Sequence, residues 1–99
     1  MIALTAILRA KAGEESRLQR LLTDVFAQVE RDEPGTVAYF IGRDPDEPSV
    51  FTTYERYVDR AAMDAHNASP AVQAFFDVAT DVLDGAAVIR VTEEIAAKG

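Results

Sequence analysis

The sequence contains no cysteine, no tryptophan and a single histidine, His66. Without cysteine there is no disulfide, no thiolate nucleophile, no iron–sulfur cluster and no cysteinyl zinc site. One imidazole also excludes a metal site built on two histidines of one chain. Cations are scarce: ten Lys and Arg stand against seventeen Asp and Glu, a formal net charge of −7. Phosphate backbones and anionic lipid surfaces are held by clustered cations, so neither nucleic acid nor membrane is an expected partner. No apolar run approaches the ~20 residues of a membrane-spanning helix. Met1 to Arg9 is apolar, with no basic segment before it and no cleavage-like pattern after it, so a cytoplasmic protein is expected. Chemistry must then run on Tyr, Asp, Glu, Arg, Lys, Ser, Thr, Asn, Gln, one His and the backbone, with no metal and no cofactor expected.

What is present is ordinary globular material: 99 residues, 48% hydrophobic and 27% charged, which suits one domain over 1–99. Residues 2–9 are short, apolar and followed by Lys11-Ala12-Gly13, as in a buried strand that ends in a turn. From Glu14 the period changes. Leu18, Leu21, Leu22, Val25, Phe26 and Val29 form one stripe on a helix over 14–32, with Glu14 and Glu15 at its positive pole and Pro34 beyond its end. Strands are expected over 36–41 and 50–57, joined by a loop dense in Gly, Asp and Pro, hence an antiparallel hairpin. Asp59 is a fitting N-cap for a brief helix over 60–66, and Ser69-Pro70 starts another. Val72, Phe75, Phe76, Ala79, Val82 and Leu83 carry that helix's stripe, with Gly85 expected as its left-handed C-cap, and 87–92 reads as a last strand.

The order β-α-β-β-α-β is that of a ferredoxin-like α+β sandwich. Right-handed crossovers put the first and third strands at the centre of a four-stranded sheet with the helices on one face. Strand 1 is apolar on both parities, with Ile2, Leu4, Ala6 and Leu8 on one and Ala3 and Ile7 on the other. A sheet covered on one side alternates apolar and polar residues. A second apolar face therefore predicts a homodimer formed sheet against sheet.

The segment from Tyr54-Glu55-Arg56-Tyr57 through Asp59, Ala62, Met63, His66 and Ser69 resembles the core motif of the antibiotic-biosynthesis monooxygenase-like family. In that family an aromatic-Glu-x-Trp strand end runs into Asp-x-x-Ala-(Leu/Met)-x-x-His-x-x-Ser. Lys11-Ala12-Gly13-Glu14, Glu33-Pro34-Gly35 with Tyr39, and Arg43 to Pro48 are similar to its other landmarks, so nearly the whole chain is covered. The resemblance implies a dimeric α+β barrel with a pocket between helices and sheet in each subunit. It implies one of several activities: cofactor-independent oxygenation of quinols and polycyclic aromatics, haem degradation, or isomerisation of a phosphorylated diketone. Two positions depart from the pattern, Tyr57 for a frequent tryptophan and Ala71 for a second histidine. Haem-degrading relatives use an asparagine, a tryptophan and a histidine; this chain has no tryptophan and its first strand carries no asparagine, so that branch is disfavoured.

A cofactor-free oxygenase needs a general base, hydrogen bonds to the substrate oxygens and a dry pocket. His66 is the candidate base, because imidazole alone titrates near neutrality; its structural alternative is a helix-bridging role beneath Tyr57. Tyr39, Tyr54 and Tyr57 are candidates to orient an aromatic substrate, against ordinary strand packing, and Phe75 is a candidate apolar wall. Strand parity sets Tyr54 and Arg56 on one face and Phe51, Glu55 and Tyr57 on the other, so Tyr54 and Tyr57 share a pocket only across a bulge. A buried Glu55 needs a partner, with Arg9, Arg56 and Arg90 as candidates, or else acts as a proton shuttle. Asn67 and Ser69 read as turn and cap residues. The expected function is oxidation of a quinol or polyphenolic aromatic by O₂. The alternatives are a non-catalytic small-ligand module of the same fold and an isomerase of a small keto compound.

Overall fold

Each change of hydrophobic period along the chain becomes a change of element. The structure, a computed structural model, describes residues 1–99. In chain order it contains β1 (Ile2–Arg9), α1 (Glu15–Asp32), β2 (Thr36–Arg43), β3 (Val50–Tyr57), α2 (Arg60–Asn67), α3 (Pro70–Val82) and β4 (Val88–Glu93). The four strands lie in the order β2-β3-β1-β4, all neighbours antiparallel. This is the expected ferredoxin-like α+β sheet with β1 and β3 at its centre and the helices on one face.

The even residues of β1 meet the helices, and Ile2, Leu4, Ala6 and Leu8 are buried. Opposite them α1 buries Leu18, Leu22, Val25 and Val29, the stripe read from the sequence. Each such Leu or Val contributes about 1.5–3 kcal/mol by leaving water. Phe51 and Tyr57 of β3 and Val72, Phe75 and Val82 of α3 complete the core. No helix is long and apolar enough to cross a membrane.

Both short helices start where the sequence says. The Asp59 carboxylate accepts the Ala62 N–H at 2.8 Å, and the Ser69 hydroxyl accepts the Val72 N–H at 3.4 Å with Pro70 at the first helical position. The end of α3 differs from expectation. The helix stops at Leu83 in an extended conformation, because Leu83 bridges to Ala10 and the Asp84 N–H donates to Arg9 O. Gly85, at φ +81°, turns the chain two residues later instead of capping the helix.

Gly35 matters for a different reason than its backbone freedom. Its carbonyl accepts the Val58 N–H at 3.0 Å, and a Cβ there would lie 2.7 Å from the Cβ of Ala62. The missing side chain lets α2, and with it His66, lie directly on the β2 entrance. Gly35→Ala should lower the unfolding free energy by about 1–3 kcal/mol through overpacking, and adding Ala62→Gly should recover most of that loss. Urea titration of both variants checks this, and a Gly35→Ala protein as stable as its parent would refute the contact.

Candidate functional site

The sheet's helix-facing side changes character at one end. Along β3 the residues Thr53, Glu55 and Tyr57 alternate onto that face, and all three are buried. Glu55 accepts a hydrogen bond on each carboxylate oxygen from its own strand: the Tyr57 hydroxyl donates to Oε1 at 2.5 Å and the Thr53 hydroxyl to Oε2 at 2.7 Å. The next turn of chain brings α2 across this end, and His66 near its C-terminus points its ring inward, 3% exposed. His66 Nε2 lies 3.7 Å from Glu55 Oε1. On the other side of the ring, Nδ1 lies 2.9 Å and 3.1 Å from the two carboxylate oxygens of Glu33.

Glu33 follows the last residue of α1, its backbone N–H bonded to Val29 O. Its carboxylate also accepts from the Thr36 hydroxyl at 2.7 Å and the Gln28 amide at 2.9 Å. One imidazole is thus held between two carboxylates supplied by elements 22 residues apart in sequence. Tyr39 of β2 pairs with Glu55 across the sheet and sets its ring 5.4 Å from that of His66, with Phe26 on its far side at 6.3 Å. Burial, then the nearby Glu55 and Glu33 carboxylates, hold the Tyr39 hydroxyl protonated well above the usual tyrosine range. Burial and Glu55 do the same to Tyr57.

This polar cluster closes one end of a cavity of about 650 Å³ between the sheet and the helices. Tyr39, Thr53, Glu55 and His66 border it, and the rest of its wall is mainly aliphatic and aromatic, including Leu4, Ala6, Phe75 and Phe76. The rings of Phe75 and Phe76 meet edge to face, 5.9 Å apart at 79°. Lys11 also borders the cavity and donates to Thr80 O at 2.8 Å. A space of this size and polarity suits an aromatic ligand with a few oxygens gathered at one end. Glu33 and Tyr39 also border a smaller cleft of about 350 Å³.

The residues expected at the site divide. His66, Tyr39 and Phe75 border the cavity together. Tyr57 does not: its fully buried ring lies 5.6 Å from His66, and its hydroxyl is spent on Glu55. Tyr54 is on the opposite face of the sheet, exposed and 6.3 Å from Phe40, because no bulge in β3 reverses its parity. None of the expected arginines reaches Glu55. Arg9 pairs with Glu47 and Arg56 with Glu94, while Arg90 donates to Ile89 O. Hydroxyls two residues away on the same strand take their place. Glu33 was not singled out as a site residue, although an acidic pair at the negative pole of α1 is unfavourable to the helix dipole and so marks a residue held for another reason.

The sequence profile described as antibiotic biosynthesis monooxygenase matches residues 1–78. Among solved structures, a protein from Shewanella oneidensis is 28% identical, with a TM-score of 0.86 over 92% of this chain and 87% of that one. A protein of unknown function from Nitrosomonas europaea is 30% identical, with a TM-score of 0.85 over 98% and 91%. A Mycobacterium tuberculosis protein, 22% identical, shares the fold at a TM-score of 0.91 over 99% and 98%. An uncharacterised Synechocystis protein is 31% identical over 70 residues, 71% of this chain, and the chain spans about half (48%) of that relative's length.

The raised tyrosines make a pH prediction. A group whose folded value lies above its unfolded value lends stability that is complete below the unfolded value, about 10 for tyrosine, and is lost as pH rises through the folded one. Tyr39 and Tyr57 should therefore ionise only together with unfolding on alkaline titration. Ultraviolet absorbance followed beside circular dichroism tests this, and phenolate from either residue in a still-folded protein would refute the burial described.

Proposed function

The chain belongs to the antibiotic biosynthesis monooxygenase family, and from that premise we propose that residues 1–99 form one domain that oxidises a quinol or polyphenolic aromatic with O₂, without metal or organic cofactor. The observation that carries this reading is the placement of the only imidazole, with buried carboxylates, at the polar end of an apolar cavity. Such a site orients a phenol by its oxygen and leaves its rings among Phe75, Leu4 and Ala6. His66 takes the phenolic proton, since a base within reach of the hydroxyl is what the step needs. Tyr39, kept as a neutral hydroxyl, donates a hydrogen bond to the substrate oxygen.

The phenolate then transfers one electron to O₂, and the resulting aryloxyl radical and superoxide combine at a ring carbon that bears hydrogen. Loss of water from the resulting hydroperoxide leaves a quinone. One oxygen atom of O₂ enters the product, and the other departs as water with the two hydrogens lost by the substrate. The apolar wall serves the step by keeping bulk water from the radical pair.

The proposal includes a second copy of the chain on the open face of the sheet. Phe40 is 62% exposed there and Ile7 51%, beside Tyr54 and Val88. Exposed apolar area of this kind marks an interaction surface. Arg9 and Arg56 of that face are neutralised by Glu47 and Glu94, which removes part of the repulsion between two such faces. The proposal also extends to a cytoplasmic location, in keeping with a cysteine-free composition.

Oxygen uptake by purified protein on a panel of quinols and hydroxylated polycyclic aromatics tests the activity. One substrate should consume one O₂ per quinone formed, and His66→Gln should lower kcat by ~10²–10⁴, the range supplied by a positioned base. If aromatic ligands raise the melting temperature by mass action while none supports uptake, the protein is a binding module. Light scattering at micromolar concentration should give twice the chain mass of 10.8 kDa, and Phe40→Glu should shift it toward the monomer.

A further inference from the structure

The hydrogen bonds around Glu33 bear on which nitrogen of His66 carries hydrogen. Glu33 receives donors on both oxygens: the Thr36 hydroxyl on Oε1 and the Gln28 amide on Oε2. Gln28 turned this way leaves its own Oε1 buried without a donor, and turning it over would set that oxygen against the carboxylate. Glu33 is therefore held as an acceptor on every side, and the imidazole nitrogen 2.9 Å from it must bring the hydrogen. At the other side of the ring the two oxygens of Glu55 already take the hydroxyls of Tyr57 and Thr53. His66 Nε2, at 3.7 Å, is beyond hydrogen-bond distance of that carboxylate.

Resting on the oxygenase reading above, we infer that Glu33 is a positioning residue: it fixes neutral His66 with its hydrogen on Nδ1, leaves the Nε2 lone pair free as the base, and stabilises the ring once it is protonated. The O–H bond of the substrate breaks as an N–H bond forms at Nε2. The ring then carries hydrogen on both nitrogens between two carboxylates, and it returns the proton to the hydroperoxide oxygen that leaves as water. The titratable groups that face the ring are Glu33 from the end of α1, Tyr39 from β2, and Glu55 and Tyr57 from β3. A carboxylate on one imidazole nitrogen that sets the tautomer and readies the other is a known arrangement in acid–base catalysis.

Because the chain has one histidine, nitrogen-15 NMR of the histidine-labelled, substrate-free protein reads this state from a single ring. Long-range proton–nitrogen correlation of the neutral ring should show hydrogen on Nδ1 and a bare Nε2. Glu33→Gln should move the population to the Nε2–H form, since a glutamine amide offers Nδ1 a donor, whereas Glu33→Asp should keep some Nδ1–H. An Nε2–H ring in the parent protein, a ring protonated on both nitrogens across the folded pH range, or an unchanged tautomer in folded Glu33→Gln each overturns the inference. The parent spectrum decides alone if the variant does not fold. No substrate is needed, so failure to find oxygen uptake with a correct tautomer would sink the oxygenase reading and leave the positioning role standing. With an active substrate, Glu33→Gln should lower kcat at least tenfold with little change in KM.

Discussion

A carboxylate taken out of water must be matched by donors, and Glu55 is taken out of water with no lysine or arginine on either of its oxygens. Most of the fold near the site follows from that constraint. Thr53 and Tyr57 must be polar at the tip though they sit on the buried face of β3. Helix α2 crosses this end of the sheet and covers it, because Asp59 caps its start and Gly35 presents no side chain to Ala62. Glu33 then answers His66 from the far side and is itself answered by Thr36 and Gln28. The orphaned oxygen of Gln28 shows which demand prevails: satisfying the charge takes precedence over satisfying the amide.

The cavity is the counterpart of this cluster. A dry void of 650 Å³ would cost on the order of 15 kcal/mol at the rate measured for core cavities, as much as the entire stability of a domain this small. The space is therefore not a void in the core. It is open at the side of β4, where Ile89 on the helix-facing parity remains exposed. A chain of 99 residues that leaves this much of its sheet unfilled forgoes packing there, as the binding site proposed above requires.

Periodicity made the fold legible. The stripe of α1, the caps of α2 and α3 and the parity of β3 all follow from local rules, and the sheet order follows from handedness. The site was legible in part. His66 stood out because it is alone, and Tyr39 and Phe75 fell on the faces that meet it. The parity rule already separated Tyr54 from Tyr57, and the structure uses that separation in full. Charge pairing is not what satisfies Glu55: hydroxyls at positions 53 and 57, which alternation puts on the same face, stand where an arginine was expected. Glu33 was out of reach for a different reason. Its partner is 33 residues away and meets it only because a helix end and a later helix converge on one sheet edge.

The two faces of the sheet carry two different departures from ordinary packing. On the helix face an apolar surface is left open as a cavity; on the other, Phe40 and Ile7 are left exposed. A small domain has a limited apolar surface from which to draw its stability, and each departure alone removes some of it. The second copy proposed for the open face restores burial where it interferes with no chemistry, on the side of the sheet away from His66. Tyr54 lies on that face, and Tyr39, paired with Glu55 of the neighbouring strand, lies on the helix face beside the cavity. One residue of alternation on β3, from Tyr54 to Glu55, separates the two faces.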